Sequence, residues 1–74
     1  MKNNLSQYHP GQGGVVTQVA KGALYAKMIE MGLFQGKHVK VLFTAPFGDP
    51  MAVDVEGYVL SLRKEEADLI EIES

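Results

Sequence analysis

His9 and His38 are the only imidazoles in a 74-residue chain that has no cysteine. Thiolate metal sites are therefore excluded, and no H-x-x-H or H-E-x-x-H spacing sets two imidazoles on one helix face. One histidine with one carboxylate could hold a divalent transition ion weakly or transiently, but no resident metal or cofactor is expected. Glu65, Glu66 and Asp68 form an acidic run that reads as a solvated turn, and the neighbours Glu65 and Glu66 do not share a helix face. No serine stands in a nucleophile motif and no two carboxylates are placed for acid–base work, so no enzyme is expected. Gly11-Gln12-Gly13-Gly14 lacks both the Lys-Ser/Thr that follows a phosphate-cradling loop and the strand that precedes one. These glycines read as turn residues, and nucleotide binding is not expected.

The remaining candidates make contacts rather than reactions. Phe47 sits inside the Pro/Gly loop Ala45-Pro46-Phe47-Gly48-Asp49-Pro50, where an aromatic either marks a contact site or caps one end of the core. Proline stiffens such a loop, so little entropy is lost when it docks. Lys27 and Glu30 lie with Ala26 on the polar side of a predicted helix and can pair with each other in solvent at i, i+3. Lys27, Glu30, Pro46, Phe47 and Asp49 are the candidate partner-binding residues.

The elements that must position them follow from periodicity. After a polar end over residues 1–4, expected to be frayed or disordered, Leu5 and Tyr8 are the first apolar anchors before the turn signal Pro10-Gly11. Residues 14–20, rich in β-branched side chains, read as a strand. Leu24, Met28 and Met31 fall at i, i+4 and i+7, with Tyr25 and Ile29 beside them, which predicts a helix over 23–31. Gly32 then takes a left-handed C′ position and Leu33 folds back on the helix. Val39, Val41 and Phe43 alternate with polar residues in a strand entered through Gly36. Met51, Val53 and Val55 alternate in the next, which Gly57 ends at a bulge or sharp bend. Tyr58, Leu60 and Leu62 follow in another; Tyr58, Leu60 and Met28 are expected in the core. Residues 63–68 make one helical turn at most, and Ile70 and Ile72 mark the last strand. Gly11, Gly32, Gly36, Gly48 and Gly57 are the structural turn positions. Five short strands and one or two short helices describe a mostly β, small, partly open barrel forming one domain over residues 1–74.

Composition narrows the partner. Hydrophobic residues make up 46% of the chain and the net charge is -2, which supports a compact core and argues against nucleic acid. The charge is uneven: residues 1–40 hold five lysines against one acid, a surplus of +4, and residues 41–74 hold two bases against eight acids, a deficit of -6. Interleaved strands would average this out; otherwise it makes a basic face for an acidic partner. No apolar run approaches the roughly 18–20 residues of a membrane span, and residues 1–10 do not read as a signal peptide. A cytoplasmic location is expected, with any service to a membrane exerted through another protein that recruits the chain to the membrane's inner face.

Several stretches, in order, resemble the FeoA family. Residues 24–33 resemble its helix ending in "(L/M)-G-(L/F)", and Gln35-Gly36-Lys37-His38-Val39-Lys40-Val41 its "P-G-x-x-(V/I)-x-V" strand entry. Residues 45–50 resemble its "A-P-x-G-D-P" hairpin loop, residues 60–67 its "(I/L)-A-L-R-x-x-(E/D)-A" segment, and Pro10-Gly11 its early "P-G". Lys27 stands where the family usually carries arginine, Gln35 where it has proline, and Ser61 where it has alanine. Lysine cannot make a bidentate arginine contact. The resemblance implies an SH3-like barrel. It also implies a non-enzymatic accessory role in ferrous iron uptake, exerted from the cytoplasm on FeoB, a GTP-binding membrane iron permease. The same barrel resembles the C-terminal domain of repressors of the diphtheria toxin repressor type, which attaches transition-metal binding to the family. The alternatives are a module that itself senses Fe2+ or another divalent ion, and a generic SH3-like peptide binder using a groove beside the 46–50 loop. Self-association is compatible with either.

Overall fold

Alternating β-branched side chains and short glycine turns produce a single antiparallel sheet. The computed structural model describes residues 2–74. In chain order the elements are β1 (Lys2–Asn4), a 3-10 turn (Leu5–Gln7), β2 (Gly13–Val19), α1 (Tyr25–Glu30), β3 (His38–Thr44), β4 (Met51–Val55), β5 (Tyr58–Leu62), α2 (Lys64–Ala67) and β6 (Ile70–Glu73). The strand order is β1-β6-β2-β3-β4-β5, with β1 and β5 as unjoined edges, so the barrel is open. The sheet has six strands rather than about five. The added one is β1, formed by residues read from sequence as a frayed end. Lys2, Asn3 and Asn4 pair with Glu73, Ile72 and Glu71, and the fully buried Leu5 anchors them. Met1 lies outside the described residues.

The core fills the concave side of the sheet. Leu5, Val16, Met28, Leu33, Val41, Val53, Val55, Leu62, Ile70 and Ile72 are all essentially inaccessible to solvent. Tyr8 joins them, its hydroxyl donating to the Ile72 carbonyl at 3.2 Å. Gly13 and Gly14 belong to β2 because a Cβ there would overlap the carbonyl oxygens of Val39 and Glu73. Only glycine lets the three central strands approach this closely.

Two expected core residues are exposed. Phe43 is 62% exposed because β3 carries a bulge: Val41 pairs with Val53, but Phe43, not Leu42, pairs with Ala52. The extra residue reverses the alternation, so the aromatic faces outward. Tyr58 is 44% exposed. It lies opposite Val55 at the open corner of the sheet, and its hydroxyl reaches past the core to donate to the Met31 carbonyl at 2.6 Å. Leu60 is half-buried and packs against the core, and Met28 is fully buried as expected.

The helix is shorter than predicted and ends as predicted. Gly32 has φ of 91°; its N–H bonds the Ile29 carbonyl and the Leu33 N–H bonds the Met28 carbonyl. This is the paired hydrogen-bond pattern of a Schellman end. Gly11, Gly36, Gly48 and Gly57 also take positive φ. Gly57 ends β4 through a two-residue turn with Glu56, both at positive φ, rather than through a bulge. The two oppositely charged halves interleave. Lys2 lies opposite Glu73 and Lys40 opposite Asp54 across strands, and Lys27–Glu66 and Lys37–Glu56 form ion pairs.

Candidate partner-docking site

The 45–50 loop is held by its own backbone. The Gly48 N–H donates to the Ala45 carbonyl at 2.7 Å and the Ala45 N–H to the Pro50 carbonyl at 2.9 Å. Pro46 therefore opens a tight turn with Phe47 at its tip, and the Asp49–Pro50 peptide bond is cis. Phe47 is 97% exposed, so it does not cap the core. Asp49 faces a different task from the one expected: its carboxylate accepts the Lys64 N–H at 3.1 Å, at the first turn of α2. It ties the loop to the segment after β5.

Beside the loop lies a cleft of about 440 Å³ between α1 and the end of β5, lined by Leu24, Lys27, Pro50, Ser61, Arg63 and Glu66 among others. Its floor is set by Glu66, which is 7% exposed rather than part of a solvated acidic turn. Glu66 accepts the Arg63 N–H at 2.9 Å and the Lys27 ammonium at 2.8 Å. The Lys27 hydrogen bond, then the Arg63 N–H, holds its carboxyl below the ordinary value of 4.5. Lys27 thus pairs with Glu66 from α2, not with Glu30 of its own helix. The backbone explains the choice: α2 brings a carboxylate that already accepts one N–H to the foot of α1, whereas Glu30 is free to hydrate. Glu65 is exposed and lines the same cleft.

Of the five candidates, Lys27 lines the cleft, Pro46, Phe47 and Asp49 belong to the loop whose Pro50 borders it, and Glu30 stands exposed on α1. Sequence reasoning missed Leu24, Ser61 and Arg63 as cleft residues. The "L-R-x-x-E" spacing carried a signal, since it sets an N-cap three residues before a carboxylate that reaches back to it.

The histidines lie apart. His9 lines a hollow with Asn3, Tyr8 and Gln12, and His38 another with Lys40, Asp54 and Glu56. The His38 N–H donates to Glu56 at 3.0 Å, which lowers the Glu56 pKa. Among the described residues no three His, Asp or Glu side chains converge as metal ligands.

Comparison with known proteins places this architecture. The chain is 37% identical over 70 residues, 93% of its length, to a Fe(2+) transport protein A/Fe(2+) transporter FeoB fusion protein of Porphyromonas gingivalis, and spans 8% of that much longer protein. The solution structure of a FeoA-like protein from Clostridium acetobutylicum superposes with a TM-score of 0.90 at 32% identity, covering 97% of this chain and 85% of that one. The zinc complex of Stenotrophomonas maltophilia FeoA, described as a procaryotic SH3 domain protein, superposes with a TM-score of 0.82 at 26% identity, covering 99% of this chain and 89% of that one. The FeoA domain model matches residues 3–74. The open six-stranded barrel is therefore SH3-like, and the chain belongs to the FeoA domain family.

Proposed function

We propose that this chain is a non-enzymatic accessory protein of ferrous iron uptake that docks on the cytoplasmic side of a FeoB-type GTP-binding permease and modulates its activity. The observation that carries this reading is the Porphyromonas gingivalis relative, in which a FeoA part and a FeoB part share one polypeptide. Covalent fusion raises the local concentration of two modules and is productive when they act on each other. No helix of the described residues is long and apolar enough to cross a membrane, so contact with the permease would be made by the folded surface. The docking surface in this reading is the 45–50 loop with the neighbouring cleft, and Phe47 is its apolar anchor. Lys27, Glu30, Pro46 and Asp49 surround or stiffen it.

The test is a titration of the permease's soluble cytoplasmic domain, with and without a GTP analogue. Wild type is expected to bind, and Phe47→Ala to bind at least tenfold more weakly with an unchanged thermal midpoint. Lys27→Glu is a poor probe, because it sets two carboxylates together at Glu66 and costs stability as well as contact. Equal binding by wild type and Phe47→Ala removes the loop from the surface; absence of wild-type binding overturns the function.

A further inference from the structure

The two open edges of the sheet are built differently. The β1 edge is three residues long, polar and carries Lys2, as an edge protected against further pairing does. The β5 edge is five residues, Tyr58-Val59-Leu60-Ser61-Leu62, with no charge and no proline. Its hydrogen-bond phase follows from the turn before it. Glu56-Gly57 is a two-residue loop, so Val55 and Tyr58 form the closing hydrogen-bonded pair. The pairs Val53–Leu60 and Met51–Leu62 are then hydrogen-bonded too, and the N–H and C=O of Val59 and Ser61 point away from β4. None of these outward groups has a partner among the described residues. Ser61 opens directly into the cleft beside α1, next to the side chains of Leu24, Lys27 and Arg63. Lys27 is committed to Glu66, whereas Arg63 has no ion pair among the described residues.

We propose that the β5 edge binds one extended segment of a partner protein by strand addition, the segment lying in the cleft between α1 and β5 and receiving backbone hydrogen bonds from Val59 and Ser61. Backbone pairing supplies the affinity. The cleft sets two cations, Lys27 and Arg63, against two carboxylates, Glu65 and Glu66, so the outward backbone groups rather than net charge select an extended segment. A second copy of this chain fits less well, because α1 flanks the edge and a twofold pairing of β5 strands would need room for two helices. The inference rests on the proposed docking to a permease and names the site where it occurs.

The experiment uses the full chain and the soluble cytoplasmic domain of the permease. Amide hydrogen exchange is followed residue by residue with and without that domain, and binding is compared for wild type, Ser61→Pro and Ser61→Ala. The Ser61 N–H makes no bond to β4, so proline is compatible with the edge while removing a docking donor; alanine keeps it. Strand addition predicts exchange at Val59 and Ser61 slowed at least tenfold in the complex, binding weakened at least tenfold by Ser61→Pro, and binding kept by Ser61→Ala. Wild-type binding without protection at Val59 and Ser61 overturns the edge proposal and leaves the function standing, whatever the stability of the proline variant. Protection of the same amides in the chain alone, rising with its concentration, overturns it in favour of a second copy. No wild-type binding overturns both readings.

Discussion

At Gly32 two constraints coincide. The left-handed backbone alone would cost a side chain about 1–2 kcal/mol, and a Cβ at this position would also overlap the Tyr58 hydroxyl, which is bonded to the Met31 carbonyl. Gly32→Ala should therefore cost about 2–3 kcal/mol, adding a lost hydrogen bond worth ~1 kcal/mol to the backbone strain. Tyr58→Phe should cost about 1 kcal/mol in wild type and almost nothing beside Gly32→Ala; equal costs in both backgrounds, measured by urea unfolding, would show that the two residues act independently. Glu66 makes a prediction in pH. Its folded pKa lies below its ordinary value of 4.5, so its contribution is present above that value and is lost as pH falls through the lowered folded one. The midpoint of wild type should drop on acidification below about pH 4.5, and Glu66→Gln, less stable at neutral pH, should drop less. Identical acid limbs would assign the loss to other carboxylates, Glu56 first, since its pKa is lowered as well.

At the scale of elements, the bulge in β3 decides what the strand buries. Val41 is fully buried and Phe43 is 62% exposed two positions later, a reversal that strict alternation forbids. Val41→Ala should cost about 2 kcal/mol through lost methyl burial and the cavity left behind, and Phe43→Ala should stay within about 0.5 kcal/mol of wild type. A large loss at Phe43 would place its ring in the core and the bulge elsewhere. Periodicity located α1, β2, β4 and β6 correctly because their apolar residues recur at the helix or strand period, even though β2 and β6 shift register between Val16 and Gln18. It failed for β1, a polar segment whose strand exists only because β6 offers an edge. It failed as well in the second half of β3, because a bulge leaves no mark in composition. The end of α1 was legible because Met31-Gly32-Leu33 specifies its own hydrogen bonds.

Across the whole molecule, the absence of cysteine and the separation of His9 and His38 lead us to expect no tight metal site. Titration with Fe2+ or Mn2+ should give no binding tighter than about 10 μM, roughly 6.8 kcal/mol. A submicromolar one-to-one isotherm that depends on His9 or His38 would instead make the chain a metal sensor. Residue order alone determined the mostly β class, the positive-φ turns, the family motifs and the Phe47 loop, because each depends on residues within a few positions of one another. Tertiary structure alone decided that Phe47 stands 97% exposed and that Lys27 is bound by Glu66, 39 residues away. It also decided that Asp49 serves the α2 segment and that β5 is an edge whose outward groups open on a cleft. Those outcomes depend on which strands end the sheet and which segments meet across it, and long-range pairing leaves no local pattern in the chain.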